Sequence, residues 1–148
     1  HDAARAGEKP VADARIFGSD VSPVAVRAAL ANLDRAGLLP AVSLRSGDLL
    51  AIDAPASSGI MVSNPPYGER VSSDDELAAF YPLLGQALKQ RFAGWTCYLI
   101  SADTRLPKMV RLTPSKKTPL FNGALDCRLY EFRMVAGSNR GKSGATPA

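Results

Sequence analysis

The chain predicts an α/β fold, with a mostly parallel sheet that closes on an antiparallel hairpin. Three observations predict it. Short apolar runs alternate with stretches of helical period. Three successive runs end in polar residues, at Asp20, Asp48 and Asn64. The last third carries two strand-like runs on either side of Asn122-Gly123. Right-handed crossovers between parallel strands would put all three polar tips on one rim of a single sheet. That rim is where open α/β sheets bind ligands.

Each element has a local reason. Residues 1–14 have no periodicity and read as a lead-in. Arg15–Asp20 is a strand ending in an acid. Ser22 is an N-cap with Pro23 at the first helical position. Val26, Leu30 and Leu33 recur at helical spacing, and Gly37 supplies the stop. Val42-Ser43-Leu44 alternates and ends at Ser46-Gly47-Asp48. Ile60–Ser63 is a third, buried strand.

The second half continues the pattern. Ser73-Asp74-Asp75-Glu76 fits a capping box. Leu77, Phe80, Tyr81, Leu84 and Leu88 form one helical stripe, which Pro82 is expected to kink or split. Gly94 ends it. Thr96–Ile100 is a fourth strand, and residues 104–112 form a short helix disturbed by Pro107. Pro119–Phe121 and Cys127–Phe132 then make a hairpin-like pair, with a connection expected to exceed two residues. From about Gly137 the composition is that of a flexible tail or interdomain linker.

Composition bounds the function. The chain has 148 residues, 46% of them apolar, enough for one domain with a real core. No run approaches the roughly 18 apolar residues of a membrane span. The opening residues are polar and lack a secretory signal, which predicts a cytoplasmic setting. Two cysteines thirty residues apart and one histidine at position 1 cannot supply the four ligands of a zinc site. Cys97 and Cys127 are therefore expected as buried thiols. Net charge is +4. Part of it lies in Arg105, Lys108, Arg111, Lys116 and Lys117, a run with no intervening carboxylate. Such a run suits nucleic-acid phosphate or a solvated face.

The chemistry concentrates at Asn64-Pro65-Pro66-Tyr67. It follows Ile60-Met61-Val62 directly, so the Asn amide stands at the end of a buried strand. Two prolines fix two φ angles and remove two N–H donors. An amide, a bare carbonyl and an aromatic face suit capture of a planar group carrying an NH2. Asp20 is placed to accept ribose hydroxyls, and Asp48 to accept from an adenine amine. Either acid also suits a plain turn or cap. Trp95 begins a strand and reads as packing. Glu69 and Arg70 can position the loop, touch RNA or form a local ion pair.

The pattern resembles class I S-adenosylmethionine-dependent methyltransferases, a Rossmann-like fold in which Asn/Asp-Pro-Pro-Tyr/Phe marks enzymes acting on planar amino groups. Three longer stretches narrow it: Phe17-Gly18-Ser19-Asp20, Val62–Arg70 and Asn122-Gly123-Ala124-Leu125-Asp126-Cys127. Together they resemble the bacterial large-subunit (23S) rRNA guanine-N2 methyltransferases, most closely the L domain of the fused L/K enzyme, over residues 16–135.

The resemblance implies S-adenosylmethionine as cofactor, held by Asp20, Val21, Asp48, Leu49 and Asn64. It implies Asn64, the Pro65 carbonyl and Tyr67 as the catalytic group, with Tyr67 stacking on a base swung out of its helix. Arg70, Lys116 and Lys117 become RNA contacts; Lys116 matches a recurring basic position, whereas Pro119 stands where relatives tend to carry a basic residue. The implied partners are 23S rRNA or the assembling large subunit, a preceding THUMP domain and, in some relatives, a second methyltransferase domain beyond a 136–148 linker. No membrane and no metal are implied. The competing readings are a protein-glutamine or adenine-N6 methyltransferase and a cofactor-free RNA-binding module.

One departure stands out. The family's Gly-rich cofactor loop belongs before Arg15, and nothing in residues 1–14 matches it, although Gly7 is present. The chain therefore resembles the C-terminal two-thirds of a catalytic domain, without the central strand. This predicts a longer intact protein, weak cofactor binding by the isolated chain and open sheet edges.

Overall fold

The protein is described by a computed structural model that covers residues 16–66 and 74–135, with Gly7. Two compact units divide the chain between Ile52 and Asp53. The expected lead-in and the 136–148 linker lie outside the described residues, apart from Gly7, as does the Ser73 end of the capping box.

The first unit is a strand–helix–strand. Strand β1 (Ile16–Asp20) pairs in parallel with β2 (Val42–Ser46), Ile16 opposite Val42 and Asp20 opposite Ser46. Helix α1 (Pro23–Arg35) is the crossover. The Ala25 N–H donates to Ser22 Oγ at 3.3 Å, and Pro23 occupies the first turn, where its missing N–H costs nothing. At the other end Gly37 takes φ 68°. The Leu38 N–H reaches the Leu33 carbonyl at 2.8 Å and the Gly37 N–H the Asp34 carbonyl at 2.9 Å. These two bonds close the helix as a Schellman motif. A 3-10 turn, Leu39–Ala41, leads into β2. Gly18 is a close-approach glycine, since a Cβ there would lie 2.4 Å from Leu44 Cδ2.

The second unit is a four-stranded sheet in the order β3-β4-β6-β5. Its elements are β3 (Gly59–Ser63), α2 (Asp74–Arg91), β4 (Trp95–Ser101), α3 (Leu106–Met109), β5 (Lys116–Asn122) and β6 (Leu125–Arg133). β3 and β4 are parallel, while β6 runs antiparallel to both β4 and β5. The core takes Tyr81, Leu84 and Leu88 from α2, Cys97 and Leu99 from β4, Leu106 from α3, and Tyr130 and Phe132 from β6. Trp95 is structural: it meets Phe92 edge-to-face at 5.8 Å and donates Nε1–H to the Ala56 carbonyl at 2.8 Å. Both cysteines are free and buried, and burial pushes the Cys97 thiol up to about 12.

Four expectations need correction. The described strands form two sheets, not one, because β1 pairs only with β2 and β3 only with β4. Among the described residues both strands keep an open edge, where Phe17, Ile60 and Val62 are exposed. Helix α2 runs through Pro82 as one 18-residue helix; the ring removes only the donor to the Ala78 carbonyl, and the buried stripe on either side holds the helix. The hairpin turn is two residues, Gly123-Ala124, since Asn122 pairs with Leu125. Gly123 at φ 63° with no positive φ at Ala124 is the pattern of a II′ turn. Finally, β5 starts at Lys116, three residues earlier than the apolar run suggests.

Candidate active site

In the first unit the tips of the two parallel strands are tied together. The Gly47 N–H donates to the Asp20 carbonyl at 3.0 Å. Each acid also organises its own turn. Asp20 Oδ1 accepts from the Ser22 N–H at 2.7 Å, and Asp48 Oδ1 from the Leu50 N–H at 2.9 Å. Both residues are exposed, and neither forms an ion pair among the described residues. Among the described residues the second oxygen of each carboxylate takes no hydrogen bond and could accept from a ligand. Two acceptors on adjacent strand tips fit the hydroxyl and amine donors of a nucleoside. Val21 beside Asp20 is exposed, and Leu49 beside Asp48 is half-buried. The cap role and the ligand role are compatible, because they use different oxygens.

In the second unit Asn64 follows the last residue of β3, Ser63, which sits opposite Leu99 of β4. Asn64 is exposed, Pro65 buried and Pro66 exposed. The Pro66 carbonyl accepts a hydrogen bond from the Tyr81 hydroxyl at 2.7 Å. Pro66 is therefore tethered to α2, while Asn64 two residues before it is exposed.

Two further features share the rim of Asn64. The first is the end of β4. Ser101 is fully buried, and its Oγ accepts from the Asp103 N–H at 3.0 Å. The Arg105 side chain grips the Asp103 carboxylate through Nε and Nη2, the latter at 2.7 Å. Its guanidinium holds the Asp103 carboxyl below the usual carboxylate range. The second feature is the hairpin tip. β5 runs in the direction of β4, because both oppose β6, so the Asn122–Leu125 turn lies at this same end of the sheet. Ser101 is opposite Arg128, so the hairpin extends past the end of β4, and Phe121 near its tip is exposed.

The structure brings Asp20 and Asp48 together in the first unit and places Asn64 and Pro65 on a rim of the second. Tyr67 and Arg70 lie outside the described residues. Lys116 and Lys117 are exposed at the start of β5, the edge strand. Lys116 pairs with Glu131 and Lys117 with Tyr130, so the two side chains leave opposite faces. They stand six and five residues from Asn122, about 20 Å from the tip. Sequence reasoning missed Tyr81, whose partner is a backbone carbonyl that leaves no trace in composition. It also missed the Asp103–Arg105 pair, for which the spacing of opposite charges after a strand was the available signal.

The UPF0020 family, described as RMKL-like, methyltransferase domain, matches residues 2–131. The ribosomal RNA large subunit methyltransferase K/L of Shewanella baltica (strain OS185) is 35% identical over 133 residues, 90% of this chain and 19% of that protein. The protein of the same name from Shewanella frigidimarina is 34% identical over 126 residues, 85% of this chain and 18% of that protein. This chain thus spans about a fifth of these relatives. Among solved structures, SMU.472 complexed with SAH superposes with a TM-score of 0.75 at 29% identity, covering 80% of this chain and 31% of that one. TrmN from Thermus thermophilus shares the fold, with a TM-score of 0.62 at 13% identity, 80% of this chain and 36% of that one. With its class I methyltransferase fold and a family match running almost end to end, the chain belongs to the RMKL-like methyltransferase domain family.

Proposed function

We propose that the full-length protein transfers a methyl group from S-adenosylmethionine to the exocyclic N2 amine of a guanine in large-subunit (23S) rRNA. The observation that carries this reading is Asn64: an exposed amide at the end of a parallel strand, followed by a buried proline and a tethered one. The K/L names of the relatives support an rRNA substrate, and the SAH complex of SMU.472 supports the cofactor.

Bound S-adenosylmethionine supplies an electrophilic methyl group. The chain's residues do the rest by orientation. The Asn64 amide oxygen and the Pro65 carbonyl accept the two N–H bonds of the amine. A ring amine is a poor nucleophile because its lone pair is delocalised. Holding both hydrogens favours the tetrahedral nitrogen of the transition state and aims its lone pair along the transfer axis. With S-adenosylmethionine bound, the amine held by Asn64 and Pro65 would take the methyl group, sulfur would keep the electron pair of the broken S–C bond, and the nitrogen would release one proton to solvent. Tyr67 stacks on the extruded base. Asp20 and Asp48 use their second carboxylate oxygens on the ribose and adenine, with Val21 and Leu49 flanking them. Arg70, Lys116 and Lys117 supply phosphate contacts, alongside a preceding THUMP domain and any second methyltransferase domain. Residues 16–135 then form the catalytic part of a longer chain, with 136–148 as a linker.

The test is methyl transfer from labelled S-adenosylmethionine by the full-length protein. The substrates are unmodified large-subunit rRNA and, in parallel, a glutamine-containing protein substrate. Label in the RNA alone is the expected result. Label in the protein alone transfers the reading to glutamine.

A further inference from the structure

The described part of the loop that carries Asn64 includes two prolines. Pro65 and Pro66 offer no N–H, so neither can join the β3–β4 ladder as a donor. Their rings fix φ but leave ψ of Pro66 open. The rotation of that peptide plane decides where the chain goes next, and through two stiff residues it decides where the Pro65 carbonyl and the Asn64 amide point. Among the described residues the Tyr81 hydroxyl holds it, donating to the Pro66 carbonyl at 2.7 Å.

Tyr81 is a good anchor because it cannot move easily. It is fully buried on α2 and meets Phe80 edge-to-face at 5.6 Å. One turn further on, Gly85 lets the helix touch the backbone of α3's end, since a Cβ there would lie 1.8 Å from the Val110 carbonyl oxygen. Leu84 and Leu88 on the same helix are fully buried. The phenol is therefore mounted on a helix held by backbone-to-backbone packing.

We infer that Tyr81 is a positioning residue for the proposed methyl transfer, acting through the Pro66 carbonyl to hold the amine-accepting loop in register. It touches neither substrate nor cofactor. The inference rests on the reading of Asn64 given above. Displacements of about 1 Å at a reacting centre can cost on the order of 100-fold in rate. A 2.7 Å bond on the loop is the kind of contact that prevents them.

The experiment compares wild-type, Tyr81→Phe and Asn64→Ala full-length protein. It uses methyl transfer to large-subunit rRNA, S-adenosylhomocysteine binding by calorimetry and thermal melting. Tyr81→Phe keeps the ring and its packing and loses only the O–H. The expected result is a kcat lower by roughly 10- to 100-fold, with S-adenosylhomocysteine affinity within about twofold and the melting curve little changed. A merely structural tyrosine would lower kcat only in step with the unfolded fraction. A kcat within twofold of wild type, or one that follows melting, overturns the inference. If Asn64→Ala abolishes turnover while Tyr81→Phe is normal, the positioning role alone fails. If Asn64→Ala is itself normal, the site reading fails and takes this inference with it.

Discussion

Gly47 donates its N–H to the carbonyl of Asp20 at 3.0 Å, so the tip of one parallel strand is pinned to the turn that presents the next acid, Asp48. The bond uses only backbone of Asp20, and the turn at Ser22 uses only one carboxylate oxygen. Replacing the carboxylate therefore separates two effects. Asp20→Ala removes both the turn acceptor and the ligand acceptor. Asp20→Asn can keep the turn acceptor and loses the charge. Hydrogen bonds to a charged group are worth about 1.5–3 kcal/mol. We expect Asp20→Ala to weaken S-adenosylhomocysteine binding by roughly 10- to 100-fold in the full-length protein, with Asp20→Asn in between, measured by calorimetry. Unchanged affinity in Asp20→Ala removes this residue from the cofactor site.

Asn64→Ala addresses the other half of the chemistry. The side chain is exposed and carries no structural hydrogen bond among the described residues. The substitution is expected to abolish methyl transfer while leaving cofactor affinity within a few-fold and melting unchanged. Single-turnover kinetics with saturating RNA is the direct measurement. Near-normal turnover would strip Asn64 of its role.

Much of this was legible beforehand because the signals are local. Ser22, Pro23 and Gly37 bracket α1 as their chemistry demands, and Asn64 does end a strand. The misreadings came from partners distant in sequence. Lys116 and Lys117 are poor strand formers, yet cross-strand pairing with Glu131 and Tyr130 makes them strand. Pro119 is tolerated because β5 is an edge. Pro82 does not break α2 because its flanks are buried. The bond from Tyr81 to Pro66 joins a side chain to a carbonyl fifteen residues away, and no residue type marks a carbonyl.

Gly85 offers a stability test independent of activity. Alanine there gains about 1 kcal/mol of helix propensity over glycine. Against this, its Cβ would overlap the Val110 carbonyl oxygen, a backbone atom that cannot swing aside. Overpacking of this kind costs about 1–3 kcal/mol, occasionally more. The clash should win, and Gly85→Ala should lower the denaturation midpoint. A midpoint at or above wild type would show that the α2–α3 approach is looser than this structure has it.

Glu131 sets a pH dependence. It accepts from Arg133 Nε at 2.9 Å and from the Tyr98 hydroxyl at 3.1 Å. The Arg133 bond, then the one from Tyr98, holds its carboxyl below the ordinary glutamate range despite burial. A lowered folded pKa means the folded state binds its proton later than the unfolded chain. The stabilisation is fully present above the ordinary glutamate value of about 4.3 and is lost as pH falls through the lower folded value. Denaturant titrations between pH 7 and pH 3 should show a smaller acid-side loss in Glu131→Gln than in wild type. Identical pH slopes would contradict this.

Lys116 and Lys117 leave opposite faces of an edge strand, which suits protection of that edge as well as phosphate contact. If both meet RNA, Lys116→Ala and Lys117→Ala should each weaken rRNA binding and reduce the slope of log affinity against log salt by about one. A slope changed by only one of the two assigns the RNA to a single face of the sheet. An unchanged slope in both leaves them as edge guards.

The central claim is the identity of the methylated atom. Unmodified large-subunit rRNA should be incubated with the full-length protein and labelled S-adenosylmethionine, digested to nucleosides and resolved by mass spectrometry. The account predicts label in N2-methylguanosine, lost in Asn64→Ala. Label in N6-methyladenosine, or in no nucleoside of an otherwise cofactor-competent protein, would contradict it.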